Sequence, residues 1–394
     1  MATTATAASL IEAVKGIAPI ISEHADRSER EHRLADETVD AMKRAGFFRM
    51  CKPRSHGGLE VDPITAIRVI EEVGRIDVSA AWNLFLSSTG VPFYQWIPAK
   101  GVEEYLSGDP DSIIAGAVFP PGMAIPVEGG YRITGRWPFC SGCQHADWLI
   151  ETALIYDGEE PRRGEDGNPL QAIFSLPAAD VRILDTWNTI GMCGTGSHDV
   201  VVADCFVPAS RFGLLGPVKE LREPLSGPLY RFGHWLAVAS LPSVGLGCAR
   251  GALDALLDLG SRKTPAYGAS TLARRPSAQA QLGRAEALLG AARAYLFETV
   301  SRVYDTACRG EMPASREKID IQLAASHAVE SAAEVVNLVH QAAGTSAIRR
   351  DQPFERRFRD IHTLTQHAFT SINRYESVGR MLFGQPTDWP FLAL

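Results

Sequence analysis

The sequence predicts an α+β chain built as an N-terminal helical domain, a middle β-barrel domain and a C-terminal four-helix bundle. Two changes of hydrophobic period carry that expectation. Apolar residues recur at i, i+3 and i+4 up to about residue 108, alternate with a period of two from about 111 to 212, and return to helical spacing from about Trp235. Strands gathered between two helical blocks, instead of alternating with helices, set this order apart from a doubly wound α/β sheet.

Residues 1–110 form the first domain, in which IEAVKGIAPIISEHA, LADETVDAMKRAGFF and DPITAIRVIEEVGRI each keep their apolar residues on one stripe. Asp62 followed by Pro63 reads as an N-cap with proline at the first helical position, and Gly46 stands where a C′ glycine belongs. Residues 111–215 form the middle domain, with strands expected at IIAGAVF, YRITGRWPF, WLIETALIY, LQAIFSL and HDVVVADCFVP. Val207-Pro208 is a sensible strand exit. Residues 216–394 form the third, where Thr264-Pro265 and Met312-Pro313 divide Ala- and Leu-rich stretches into helices of bundle length. Such helices predict a buried helix-on-helix face and, through it, a homotetramer or homodimer.

At 394 residues the chain is long enough for two or three domains and a large core. A net charge of -7 and the lack of a basic patch exclude a nucleic-acid partner. The first residues carry no basic n-region, so no secretory signal is expected, and no apolar run approaches the roughly 20 residues that span a bilayer. A cytoplasmic protein with no membrane contact is the resulting expectation. Seven scattered cysteines suit reduced thiols better than a disulfide framework. Cys140 and Cys143 have C-x-x-C spacing, but neither a helix N-terminus nor a second Cys/His pair accompanies them, so they read as small residues at a strand end and no metal site is expected.

The segment YRITGRWPFCSGCQHADW, Tyr131 to Trp148, holds the densest chemistry. It follows a Gly129-Gly130 hairpin signal, and its period of two places Phe139 and Ser141 on one face, an aromatic wall beside a hydroxyl. It resembles the flavin-contact strand of the acyl-CoA dehydrogenase superfamily, in which an aromatic-x-Ser/Thr triplet packs on the isoalloxazine and bonds its N(5) edge. A second segment, Trp187 to Asp199, is similar to that superfamily's GxRGSxT-x-F-x-V-P strand pair, with Gly194, Thr195 and Ser197 in the matching loop. The resemblance implies that Trp137, Phe139, Ser141, Thr195 and Ser197 bind the flavin.

A third segment, Glu355 to His367, carries an Arg-Asp pair that matches the superfamily's C-terminal signature. Dehydrogenases commonly place a glutamate base on the helix that follows; here that position falls at or near Ala368, and no Glu or Asp lies between Asp360 and Glu376. His367 stands seven residues after Asp360 instead. This Arg-Asp-x6-His pattern is similar to the two-component flavin monooxygenases, such as the p-hydroxyphenylacetate, secosteroid phenol and dibenzothiophene oxygenases. The resemblance implies reduced flavin (FMN or FAD) supplied by a separate NAD(P)H-dependent flavin reductase, dioxygen as co-substrate, and a C(4a)-hydroperoxide mechanism. His367 would exchange the peroxide proton near neutral pH and Ser141 would hold N(5)–H.

Arg262, ahead of Ala266-Tyr267-Gly268, resembles the superfamily's contact to a flavin pyrophosphate. His340 to Ser346 occupies the place of its Q-x-x-GG-x-G turn but keeps one glycine, which leaves FMN or FAD open. No dinucleotide fingerprint follows a strand, in keeping with a partner reductase. Phe93, Tyr94 and Trp96 are expected to line a small aromatic or natural-product-like substrate, with His145 nearby or holding the adjacent loop. A dehydrogenase with a relocated base and a subunit that binds without catalysis are the alternatives.

Overall fold

The computed structural model describes residues 6–393 apart from 219 and 267. Five helices open the chain: α1 (Ala7–Glu31), α2 (Asp36–Arg44), α3 (Pro63–Ile76), α4 (Val78–Thr89) and α5 (Ala99–Leu106). Asp62 caps α3, accepting from the Thr65 amide at 2.9 Å, with Pro63 as its first residue. Asp77 both ends α3 and caps α4 through the Ala80 amide at 2.7 Å, so these two helices meet at a single residue.

The strands are β1 (Ile114–Val127), β2 (Gly130–Cys140), β3 (Trp148–Asp157), β4 (Glu160–Pro161), β5 (Gln171–Pro177), β6 (Arg182–Leu184), β7 (His198–Pro208) and β8 (Phe212–Leu214). They pair in the order β6-β7-β2-β1-β3-β5-β8, with β4 beside β3 and the β1–β3 pair parallel. The expected barrel is an open mixed sheet: β6 and β8 end the path, and no pairing joins them among the described residues. Alternation tells each residue which face to take; closure depends on strand number and stagger, which local pattern does not carry.

Helices then return: α6 (Pro228–Arg231), α7 (Trp235–Arg262), α8 (Pro276–Cys308), α9 (Ser315–Ala343), α10 (Phe354–Leu364), α11 (Asn373–Leu382) and α12 (Pro390–Ala393). The two proline breaks fall between α7 and α8 and between α8 and α9. α7, α8 and α9 pack on one another, while α10 and α11 lie on α9. Contrary to the reading of apolar runs above, α7 is long and apolar enough to cross a membrane, with mean hydropathy 1.4 over its best stretch; 94% of that stretch is buried inside the protein, which marks a core helix.

α7 also packs across α3, joining the two helical regions. The approach is close: a Cβ on Gly247 of α7 would overlap the carbonyl oxygen of Glu71 and lie 2.8 Å from the Arg75 amide nitrogen. Glu71, buried and pushed above the usual carboxyl range by desolvation, pairs at 2.8 Å with Arg293 of α8, so α3 is held by both helices. Gly247→Ala gains up to ~1 kcal/mol of helix propensity but forces the backbones apart, a cost of about 1–3 kcal/mol or more. We expect a lower urea midpoint; an unchanged or raised midpoint would contradict this packing.

Candidate active site

Ser141 follows the last residue of β2, and behind it three side chains form one hydrogen-bonded line. Trp82 of α4 donates Nε1–H to Ser141 Oγ at 2.9 Å. Ser141 Oγ lies 2.6 Å from Ser197 Oγ, which lies 2.6 Å from Thr195 Oγ1, and Thr195 donates to the Met192 carbonyl at 2.8 Å. Ser141, Thr195 and Ser197 are all buried. The loop that brings them together is tight: Gly142 N donates to Thr195 O at 2.9 Å, and Met192 takes a left-handed φ of 52°.

Phe139 does not share a buried face with Ser141. A bulge between Trp137 and Cys140 and a φ of 63° at Phe139 interrupt the alternation, leaving the ring 66% exposed, edge-on to Trp187 at 6.0 Å. A left-handed phenylalanine is costly, and the backbone conformation turns its ring out of the sheet while Ser141 turns in.

His367 lies in the turn after α10, not on a helix. Its ring meets Trp82 edge-on at 5.1 Å, so one indole touches the imidazole and bonds Ser141. Its Nδ1 accepts from the Phe369 amide at 3.3 Å, which assigns the neutral tautomer with hydrogen on Nε2. Burial alone pushes the imidazole down to about 4, so His367 is neutral at physiological pH and does not titrate near neutrality as the sequence suggested. From His367 aromatic contacts run through Phe369, Phe391 and His234 to Trp96 and Phe93.

Asp360 holds α10 to the loop. Its buried carboxylate accepts from the Met192 amide at 2.5 Å, and Arg359 donates to Ile190 O at 2.6 Å. The Arg-Asp pair, legible in the sequence only as a signature, is therefore a clamp between the segment carrying His367 and the segment carrying Thr195 and Ser197. His198 adds a second clamp, with Nδ1 accepting from the Thr186 and Trp187 amides and Nε2 donating to His32 O. Trp82 and His198 were missed by sequence reasoning, and nothing local marks the bond of Trp82 to Ser141.

Several expected site residues lie elsewhere. Trp137 is fully buried in the sheet, donating to Thr152 O at 3.0 Å and edge-on to Phe174, so it presents no face to a ligand. Its place in the alternation, two residues before Phe139, points it into the core. Tyr94 is fully buried and stacks on Tyr105 at 4.2 Å, whereas Phe93 and Trp96 are partly exposed. His145 holds its loop, bonding Leu34 O through Nε2 at 3.0 Å with Arg33 beside Nδ1. Arg262 is exposed and paired with Asp258; Tyr267 of the same motif lies outside the described residues. Beside it, Lys263, Arg275, Gln341 and Gly344 line a cleft of about 310 Å³. Cys140 faces Glu151 and Cys143 donates to Gly196 O, both thiols buried.

A flavin needs an aromatic face and a polar contact at the edge of its ring. The exposed Phe139 ring and the Ser141 hydroxyl, two residues apart at the end of β2, are groups of those two kinds, so the residues present fit the group.

Asp360 is pushed up to about 7, chiefly by burial. Its folded value lies above its unfolded one, so the native state binds the extra proton and stability from this group falls as pH rises from about 4 to 7. Asp360→Asn removes that slope while keeping an acceptor for Met192. We expect a flatter Tm-against-pH curve for the variant across that window; identical slopes would contradict the assignment.

Comparison with known proteins gives the family of the chain. The acyl-CoA dehydrogenase N-terminal domain matches residues 9–106, and the acyl-CoA dehydrogenase C-terminal domain matches residues 239–372. An indole-3-acetate monooxygenase of Pseudomonas putida is 35% identical over 91% of this chain and 89% of its own length. A flavin-dependent monooxygenase, oxygenase subunit HsaA, of Rhodococcus jostii is 27% identical over 95% of this chain and 98% of its own. The structure of XiaF from Streptomyces sp., in complex with FADH2 and glycerol, superposes with a TM-score of 0.90 at 27% identity, covering 98% of this chain and 97% of that one. The chain belongs to the acyl-CoA dehydrogenase superfamily, within its flavin-dependent monooxygenases.

Proposed function

We propose that this protein is the oxygenase component of a two-component flavin-dependent monooxygenase that inserts one oxygen atom of O2 into a small aromatic substrate. The observation that carries the reading is the shared indole: Trp82 contacts His367 and bonds Ser141, bringing the two expected catalytic residues to one place. Among the described residues no carboxylate bonds or pairs with His367, which leaves no dehydrogenase base at that position.

Bound reduced flavin, FMN or FAD, supplies the electrons and the site of dioxygen activation. Ser141 holds the N(5) edge and Phe139 packs on the ring. His367 keeps a hydrogen on Nε2 and offers it to the reacting oxygen, fixed in that tautomer by the Phe369 amide. The aromatic residues from Phe369 to Phe93 exclude water and receive the substrate's ring. The indole-3-acetate monooxygenase of Pseudomonas putida and an FADH2-dependent resorcinol hydroxylase oxygenase component from a Rhizobium species make indolic and phenolic compounds the first substrates to test.

The reading extends to the assembly: an NAD(P)H-dependent reductase as transient partner, a cytoplasmic homotetramer, domains meeting near residues 110 and 215, and α10 with α11 completing the helical bundle on α7–α9. The phosphate end of the flavin is placed at the Lys263–Gly344 cleft of a neighbouring copy, with Arg262 at its rim.

With reduced flavin, oxygen and a substrate from those classes, His367→Ala should retain reduced-flavin binding while product falls ~10²-fold or more. The missing product should appear as hydrogen peroxide. In the wild type, coupling should show no break between about pH 6 and 8, because the imidazole does not titrate there. Full coupled turnover in His367→Ala would make the histidine a packing residue and remove the mechanism.

A further inference from the structure

The line of hydroxyls behind Ser141 has only one consistent direction. An indole N–H donates and never accepts, so Trp82 occupies one lone pair of Ser141. A carbonyl accepts and never donates, so the Thr195 hydroxyl hydrogen points to Met192 O. Thr195 Oγ1 must then accept from Ser197, and Ser197 Oγ from Ser141. Each hydroxyl has a single hydrogen, and all three are committed inward. Ser141 is left with a lone pair to offer and no hydrogen.

From this polarity we infer that Trp82, Ser197 and Thr195 act as positioning residues that make Ser141 an acceptor, and so select the reduced flavin over the oxidised one. The inference rests on the reading above that Ser141 meets the N(5) edge. Reduced isoalloxazine carries a hydrogen at N(5) and meets an acceptor well. Oxidised isoalloxazine presents a bare lone pair there, and two facing lone pairs repel. Ser141 can offer a hydrogen to the oxidised form only by giving up its bond to Ser197, which leaves two oxygen lone pairs facing at 2.6 Å, or by reversing the whole line, which would cost Thr195 its bond to Met192. The selection is suited to an enzyme that collects its flavin from a separate reductase, because spent oxidised flavin leaves and reduced flavin replaces it.

The line ends at a residue that a ligand on Ser141 does not reach. Thr195 stands two hydroxyls behind Ser141 and is 1% exposed, and the Met192 carbonyl also accepts from Trp187 Nε1 at 3.1 Å, so it stays satisfied when the Thr195 hydroxyl is removed. In Thr195→Val the Ser197 hydrogen has no outlet behind it. Ser197 turns to donate to Ser141, and the Ser141 hydrogen is freed to point outward.

The test is anaerobic equilibrium titration of wild type, Thr195→Val and Thr195→Ser with oxidised and with dithionite-reduced FMN and FAD, read by flavin fluorescence and absorbance. The wild type should bind the reduced form more tightly by ~10-fold or more, the scale of one hydrogen bond gained against one repelled. Thr195→Val should cut that ratio ~10-fold, chiefly by tightening the oxidised form, and should lower the two-electron potential of bound flavin by about 30 mV. Thr195→Ser keeps the hydroxyl and should keep the wild-type ratio. Should Thr195→Val fail to fold, Ser197→Ala frees the same Ser141 hydrogen and is read in the same way. Unchanged ratios in a variant that binds reduced flavin normally overturn the inference and leave the monooxygenase reading standing. A wild type that binds neither redox form overturns both.

Discussion

Met192 joins the parts of the site. Its amide is held by the buried Asp360 carboxylate on α10, and its carbonyl ends the line of hydroxyls from Ser141. In a buried setting an orphaned backbone amide is costly, so the acceptor that Asp360 supplies matters. Because both polar groups of Met192 are engaged at once, the segment that ends at His367 and the loop of Thr195 and Ser197 are tied together through one residue. The left-handed φ of 52° at a methionine is the strain that this double hold sustains.

The same economy appears at Trp82. Its N–H fixes Ser141 and its ring edge meets His367, so α4 of the N-terminal region sets the distance between a group at the end of β2 and one after α10. All three regions thereby contribute to one site. The tight α3–α7 crossing at Gly247 matters for this reason: α4 starts from the Asp77 cap shared with α3, and a displaced α3 would carry Trp82 with it.

What the sequence disclosed and what it concealed divide along physical lines. Helix spans and breaks were legible because 3.6-residue periodicity, the Asp62-Pro63 cap and the two proline breaks are local signals. Ser141 and His367 were singled out by resemblance, through an aromatic-x-Ser triplet and an offset from Asp360. Trp82 was invisible because its bond to Ser141 spans 59 positions and no spacing rule links them. Trp137 and Phe139 were both read as flavin contacts; regular alternation puts Trp137 in the core, whereas the bulge and positive φ that follow it turn Phe139 outward, where a ring can still meet a ligand. His145 was given two roles, and the structure places it in the plainer one, tied to Leu34 O. The neutral state of His367 is a property of its burial, which no single sequence displays.

One isotope experiment tests the central claim most directly. Protein loaded with chemically reduced flavin under argon is mixed with 18O2 and an indolic or phenolic substrate, and the product is weighed by mass spectrometry. One 18O atom is expected in the product and the other in water. Product oxygen drawn from solvent, or oxidation of an acyl thioester with no oxygen incorporated, would contradict it.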